Sequence, residues 1–462
     1  MDAAGNVDAR RLGSTSRYFR EISLPYIYGY QGFDLTLSSG AAPPESSEAK
    51  REHYQSQVRA ACEDLLERLD FVISRPDILE MFKYVMMLGW RYTHARAQLG
   101  FEAGSQECKD LFGSIESRVS LLLRRTPNLK TFALNYLPVS NEIFEALESS
   151  RNLLWISVFP SQTTIDTTAR LPLLPSVVNA SLTFASDEVL SLWVILEAFP
   201  NLRFLQIHFF DDLTGIEPGV DIVARFNPFT SLKRIILERA DPFDIQFLAQ
   251  WIQESPSLDL THFWIEGGRY GIYSPEIELL LPALGPAPLQ VLVLDGLHQV
   301  EPSLLDEIAE VFPNLRALTL LYRQSERQTK TGVSTWPYAS WEYSPHFRGF
   351  QQLKFFCWNF NVEIMEMTFH QTLRLFEGVP EEQRMLEDGE SLADWNSIAR
   401  VLAVYCPTLE YVAFHSGGPE CTIRRTSSGG IAVTGGDVST MFGPRLSEKD
   451  FPLSSSAWKI LE

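Results

Sequence analysis

The sequence predicts an α/β solenoid in which each repeat contributes one parallel strand to a concave face and one helix to the outside. Three observations lead to this fold class. A short apolar pattern recurs along the chain, a proline-containing turn precedes many copies of it, and an amphipathic stretch precedes several of those turns. Such a unit cannot bury its own apolar face, so neighbouring units must stack to build a continuous core.

The recurring pattern has apolar residues at its first, fourth and sixth positions, as in Leu202-x-x-Leu205-x-Ile207. Copies begin at Leu129, Leu153, Val177, Leu202, Leu232, Leu260, Leu289, Leu315, Leu353 and Leu409. Those from Leu129 to Leu315 start 24 to 30 residues apart, a period typical of stacked repeats. Because strand residues alternate between two faces, the second and third apolar positions predict one buried face.

The segments before the strands predict the rest of the unit. Phe199-Pro200-Asn201-Leu202 and Phe312-Pro313-Asn314-Leu315 share one local sequence. Proline ends the preceding helix, and asparagine favours a turn through side-chain hydrogen bonds. Apolar residues at three- and four-residue spacing in the stretches from Glu188 to Phe199 and from Leu304 to Phe312 predict helices.

Composition restricts the class of partner. The 462 residues include 39 basic and 58 acidic side chains, a formal charge of −19, so nucleic acid is not an expected partner. The longest apolar runs are far shorter than the roughly 20 residues of a membrane span. Five cysteines without Cys-x-x-Cys spacing and an N-terminus without an apolar signal core predict a reduced, cytoplasmic or nuclear protein.

Four segments follow from these patterns. Residues 1–37 form a small N-terminal segment, and residues 38–120 form a linker and a helical capping region. Residues 121–416 contain the repeats. Residues 417–462 are rich in glycine and serine, which predicts a loosely packed C-terminal tail.

The N-terminal segment carries a family resemblance. The stretch from Leu12 to Tyr28, Leu-Gly-Ser-Thr-Ser-Arg-Tyr-Phe-Arg-Glu-Ile-Ser-Leu-Pro-Tyr-Ile-Tyr, resembles the back half of an F-box. The long, irregular repeats after it resemble those of F-box/leucine-rich-repeat proteins. The residues that match the F-box pattern are Leu12, Arg17, Phe19, Leu24, Pro25 and Tyr28.

The resemblance implies a leucine-rich-repeat solenoid that holds a target protein while the F-box-like segment docks on the Skp-type adaptor of a cullin–RING ubiquitin ligase. The family's front half, a Leu-Pro-x-Glu helix start, has no counterpart before Asp8. Weak or absent adaptor binding by these 462 residues is therefore the expectation. Two alternatives remain open: a helix that only caps the solenoid, and a stand-alone interaction scaffold without a ubiquitin connection.

The sequence offers little for catalysis. It contains no Gly-x-x-x-x-Gly-Lys, His-Glu-x-x-His or Gly-x-Ser-x-Gly motif, and its eight histidines form no pair at helical metal-ligand spacing. We therefore expect no enzymatic activity, no cofactor and no metal site.

The candidate binding surface lies on the strand face opposite the helices. Large aromatic side chains among charged ones on an exposed face are candidates for a binding patch. The predicted surface consists of Phe204, His208, Phe210, Arg234, Glu238, His262, Trp264, Glu266 and Asp295. A second interpretation is that loops or the C-terminal tail cover Phe204, Phe210 and Trp264.

Three of these residues share one repeat position. Glu238, Glu266 and Asp295 each follow the third apolar residue of consecutive copies, so they should form a row with His208 next in line. A row of like charges favours a target segment that carries lysine or arginine. The alternative is an ordinary solvated sheet edge, because exposed carboxylates need no partner.

Overall fold

The computed structural model describes residues 10, 14, 16–35, 47–89, 106–159, 165–166, 170–184, 192–209, 225–323, 334–360, 395–414, 420–427 and 429–435. The chain divides into two compact units. The first comprises Met1–Leu205 and Pro218–Pro228, and the second comprises Gln206–Glu217 and Phe229–Glu462. The division falls inside strand β6, Phe204–Phe209, and each unit is described separately.

Parallel strands in chain order form the sheet of the first unit. They are β1 Tyr30–Asp34, β2 Tyr84–Leu88, β3 Thr131–Asn135, β4 Trp155–Phe159 and β5 Asn179–Phe184. Adjacent strands are too far apart in sequence for hairpins, and helices occupy several connections. This is the arrangement that one strand per repeat predicts.

The helices of the first unit are α1 Arg17–Tyr28, α2 Ser47–Ile73, α3 Pro76–Leu79, α4 Gln106–Arg124, α5 Asn141–Leu147 and α6 Leu192–Ile195, the last followed by a 3₁₀ turn at Leu196–Ala198. Helix α2 buries Val58, Cys62, Leu65 and Leu69 completely. Their three- and four-residue spacing places them on one helical face, which is the face that packs into the core.

The second unit contains eight complete strands among its described residues. They are β7 Arg234–Ala240, β8 His262–Gly267, β9 Val291–Leu297, β10 Ala317–Tyr322, β11 Phe355–Trp358, β12 Tyr411–Phe414, β13 Glu420–Arg425 and β14 Ile431–Gly435. Neighbours from β7 to β12 are parallel and follow chain order. Strands β13 and β14 continue the sheet antiparallel.

The helices of this unit lie between its parallel strands in sequence. They are α7 Pro242–Gln253, α8 Ser274–Leu284, α9 Ser303–Val311, α10 Ser340–Tyr343 and α11 Trp395–Tyr405. Short 3₁₀ turns cover Pro228–Thr230 and Ser344–Gly349. The α/β class and the sequential parallel strands are therefore confirmed within each unit.

The apolar pattern positions are buried as the alternation predicts. Leu205 in the first unit is 1% exposed, and Leu292 in the second is 0% exposed. The side chains at the sixth position, such as Ile207 and Leu294, are also fully buried. The repeat pattern thus marks the strand face that packs into the core.

Asparagines of the turns link consecutive repeats. In the first unit, the Asn128 side chain donates to the Glu80 carbonyl at 2.8 Å, and Asn201 donates to the Pro175 carbonyl at 2.8 Å. Each bond joins a turn to the turn of the preceding repeat. The Pro-Asn-Leu sequence therefore stabilises the stacking of repeats as well as the local turn.

The start of the sheet differs from the prediction. Strands β1 and β2 precede residue 121, so the sheet begins inside the segment 1–37 rather than after the predicted linker and capping region. Helix α1 continues through Pro25 to Tyr28, and the Gly29 amide closes its last turn on the Pro25 carbonyl at 2.9 Å. Proline removes one helical donor but leaves its own carbonyl available.

The prediction of a loosely packed C-terminal tail is wrong for residues 420–435. Strand β13 pairs with β12 and with β14, although glycine and serine are frequent in this stretch. Cys421, Ile423 and Ile431 are buried. The glycine and serine content of residues 417–462 as a whole obscured a short stretch of alternating apolar residues. This stretch forms the strand that pairs with the last parallel strand.

Candidate partner-binding surface

An acidic row lies near the carboxyl ends of three strands in the second unit. We use this name for Glu238 on β7, Glu266 on β8 and Asp295 on β9. Glu266 and Asp295 are direct partners in the parallel register, and all three side chains are partly exposed. The predicted row of carboxylates is present in the structure.

Glu266 lies in the middle of the row, and its pKa is raised by its surroundings. Burial, together with the negative charges of Asp295 and Glu238, raises the pKa of Glu266 to about 7. Arg323 and Arg239 oppose that rise. The two guanidinium groups do not cancel the combined effect of burial and of the neighbouring carboxylates on Glu266, and additional positive charge beside it would favour its ionised form.

Polar neighbours hold one end of the row. Glu238 receives a hydrogen bond from the Gln206 amide at 2.9 Å through one oxygen. Its other oxygen lies 2.9 Å from Nδ1 of His208. These contacts fix the orientation of the Glu238 carboxylate, and they place His208 next in line as the sequence predicts.

Backbone irregularities shape the strand ends around the row. The register between β7 and β8 shifts after Leu237, and Arg239 has a positive φ of 60°. A second shift occurs between Leu321 and Tyr322, and Gly296 has a φ of 90°. A side chain at Gly296 would also meet the Arg323 guanidinium at 2.9 Å, so glycine suits both its backbone and its surroundings.

Arg323 is a buried cation that the sequence interpretation missed. It is 1% exposed, and its two terminal nitrogens donate to the carbonyls of Gly268 at 2.5 Å and Gly267 at 3.1 Å. Carbonyls alone do not neutralise a buried charge, and the nearby Glu266 contributes that compensation. The available signal was a single arginine directly after the apolar stretch Ala317–Tyr322.

The remaining predicted residues of this unit have mixed exposure. Arg234 and His262 are partners in adjacent strands; Arg234 is partly exposed and His262 is 9% exposed. Trp264 is partly exposed and lies between Ile236 and Val293 in the register. Arg234 and Trp264 thus lie on the same strand face as the row, while His262 contributes little accessible surface.

The prediction of an exposed Phe204 is wrong, because this side chain is 0% exposed within the first unit. Ile236, Val291 and Val293 lie at alternate positions of the same strand face as Trp264 and are also buried. Alternation fixes the direction of a side chain but does not show what covers it. Phe210 lies outside the described residues.

Five of the six F-box-like residues lie on helix α1. Arg17, Phe19 and Pro25 are exposed, and Leu24 and Tyr28 are partly exposed. Leu12 lies outside the described residues. Strand β1 follows this helix and pairs with β2, which joins the segment to the sheet of the first unit.

The cysteines and the possible metal ligands of the described residues give no sign of reactive chemistry. Burial raises the pKa of the Cys357 and Cys406 thiols, so both are protonated near neutral pH. Within the described ranges, no group of three or more His, Cys, Asp or Glu side chains is arranged to hold a metal ion. No helix that the structure describes is long and apolar enough to cross a membrane.

Among known proteins, similarity to this chain is found in solved structures. No protein-family model and no curated protein matches the sequence. One matching solved structure is the crystal structure of a TLR13–ssRNA13 complex, with a TM-score of 0.28 and 12% sequence identity. The match covers 61% of this chain and 40% of the other, so the chain corresponds to less than half the length of that protein.

Proposed function

We propose that this chain is a non-catalytic protein-binding protein whose acidic row recognises a lysine- or arginine-bearing segment of a target protein. The observation that carries the proposal is the geometry of the row: Glu266 and Asp295 are partners in the parallel register, Glu238 interacts with Glu266, and all three carboxylates are partly exposed. A cationic side chain from a partner would supply the missing positive charge. Arg234 and Trp264 lie on the same strand face. They would determine where the target segment docks and which apolar side chains it presents.

The experiment is a pull-down of native partners with a variant in which Glu238, Glu266 and Asp295 are all changed to glutamine. Glutamine keeps the shape of a glutamate side chain and removes its charge. We expect loss of basic partners from the variant and weaker capture by the wild type as salt rises. The matched control changes the exposed Glu278 and Glu307 to glutamine. Equal retention of every partner by all three proteins at every salt concentration would contradict the proposal.

A finer proposal makes the chain an F-box-like substrate receptor of a cullin–RING ubiquitin ligase in the cytoplasm or nucleus. Its support is the resemblance of the segment Leu12–Tyr28 and the exposure of Arg17 and Phe19 on α1. Buried thiols at Cys62, Cys357, Cys406 and Cys421 suit a reducing compartment. The alternative is a stand-alone interaction scaffold.

Direct binding of the purified Skp-type adaptor separates the two alternatives. The expectation is weak binding by these 462 residues and a clear gain when a Leu-Pro-x-Glu helix is joined before them. If binding is absent in both forms, the scaffold is the better description. Tight binding by the unextended chain that Phe19→Ala removes would show that the back half of the F-box is sufficient.

A further inference from the structure

A second surface lies on the strand face of the first unit. It is formed by the outward positions of β1 to β5, which stay in register across the sheet. The middle row of this face consists mainly of small residues: Gly32, Met86, Ala133, Ser157 and Ser181. We call this face the neutral trough, because larger side chains border the middle row on both sides.

Aromatic side chains form the borders. On one side, the rings of Tyr30 and Tyr84 stack with centroids 4.1 Å apart, and Trp155 lies further along the same row. On the other side, the rings of Tyr136 and Phe159 pack with centroids 4.1 Å apart. All five aromatic residues are partly exposed.

The middle row is open at its first strand. Gly32 is exposed, and a side chain built at this position would meet no atom within 4 Å. Met86, Ser157 and Ser181 are also partly exposed, whereas Ala133 is 4% exposed. The middle row is therefore accessible at Gly32, Met86, Ser157 and Ser181, whereas Ala133 contributes little accessible surface.

The charge of the trough differs from that of the chain. Among the outward positions of β1 to β4, Asp34 is the only aspartate, glutamate, lysine or arginine, in a protein of net charge −19. A charged partner segment would lose hydration on this face without gaining an opposite charge. Charge complementarity thus favours an uncharged segment, in contrast to the acidic row of the second unit.

The spacing of the aromatic border fits one backbone conformation. Tyr84 and Trp155 lie two strands apart, a distance of about 9.6 Å at the usual strand spacing. A polyproline II helix repeats every three residues, or about 9.3 Å. Proline-rich segments bind grooves lined by aromatic side chains, and their stiffness lowers the entropy lost on binding.

We propose that the neutral trough binds an uncharged, proline-rich segment of a partner protein in the polyproline II conformation. Prolines would pack over Ser157 and against the rings of Tyr84 and Trp155. This surface belongs to the first unit and is independent of the proposed role of the acidic row.

The test measures binding of a short oligoproline with acetylated and amidated ends to the full chain by calorimetry. Trp155→Ala should weaken binding by about tenfold, the loss typical of an aromatic anchor. Ser157→Arg should abolish binding by filling the trough, and Trp155→Phe should restore part of the affinity that alanine removes. Phe71→Ala is the matched control, because this residue is 58% exposed on α2 and lies outside the trough.

Two results with the wild type would contradict the proposal. One is the absence of oligoproline binding, and the other is equal affinity for an uncharged Gly/Ser peptide of the same length. If the Ser157→Arg variant has the thermal transition of the wild type and still binds oligoproline with unchanged affinity, this face is not the binding site. Binding of a linear neutral oligosaccharide in place of the oligoproline would assign the trough to carbohydrate. Glu266→Gln should leave oligoproline binding unchanged, which separates this result from failure of the acidic row.

Discussion

Single residues at the carboxyl ends of the strands decide the electrostatics of the second unit. Glu266, Arg239 and Arg323 come from three different parts of the sequence, interact electrostatically, and lie near strand ends where the register shifts and where Arg239 and Gly296 have positive φ. Arg323 is held by backbone carbonyls and is almost completely buried. Charge at this site is therefore a property of a small network rather than of any one side chain.

The raised pKa of Glu266 makes a prediction about stability. In the unfolded chain the carboxyl ionises near its ordinary pKa of 4.5, whereas in the folded protein it ionises near 7. The folded state therefore binds more protons between these values, and stability falls as pH rises through that window. Glu266→Gln removes this penalty, so we expect the variant to be about 1–3 kcal/mol more stable than wild type at pH 8.

Chemical denaturation at pH 4.5 and pH 8 checks this prediction, with the exposed Glu278→Gln as control. The gain should shrink at the lower pH, where the folded carboxyl is protonated and the unfolded one, at its ordinary pKa of 4.5, is about half protonated. A variant that is less stable than wild type at pH 8 would mean that Glu266 contributes more by compensating Arg323 than it costs through Glu238 and Asp295.

At the scale of elements, the strand and its apolar pattern are the unit of stability. Each strand buries one face in the core and forms hydrogen bonds to its neighbours, and turn asparagines of the first unit tie consecutive repeats together. The added strands β13 and β14 extend the second unit beyond its last parallel strand.

Leu205→Ala and Leu292→Ala should each destabilise the unit that contains the residue by roughly 2–5 kcal/mol. Both leucines are at least 99% buried at the second apolar position of a repeat, so alanine leaves a cavity and loses apolar contact. Thermal unfolding of each variant measures the loss. Leu279→Ala is the control, because Leu279 is 42% exposed on α8 and its removal creates no cavity. Unchanged transitions for both core variants would refute the assignment of the buried strand face.

At the scale of the whole molecule, the net charge of −19 governs encounters with partners. A long-range negative potential attracts basic proteins and is screened by salt within about 10 Å at 0.1 M ionic strength. The acidic row would concentrate that attraction locally, whereas the neutral trough would not depend on it.

The association rate of a basic partner should therefore fall as ionic strength rises, while its dissociation rate changes less. Stopped-flow or surface-binding kinetics over a salt series measures both rates. Oligoproline binding provides the internal comparison, since an uncharged ligand gains nothing from the net charge. Equal salt dependence for the two ligands would show that the negative potential does not steer either of them.

The sequence by itself determined the repeating unit, the parallel strand order and the buried leucines, because apolar periodicity is a local property that stacking only completes. It also placed Glu238, Glu266, Asp295 and His208 in one line, since equivalent repeat positions become neighbours in a parallel register. Tertiary structure alone decided the burial of Phe204, the pairing of β13 with β12, and the approach of Arg323 to Glu266. These features depend on which residues cover a strand face and on the backbone conformation where the strand register shifts. The spacing of residues along the chain encodes neither.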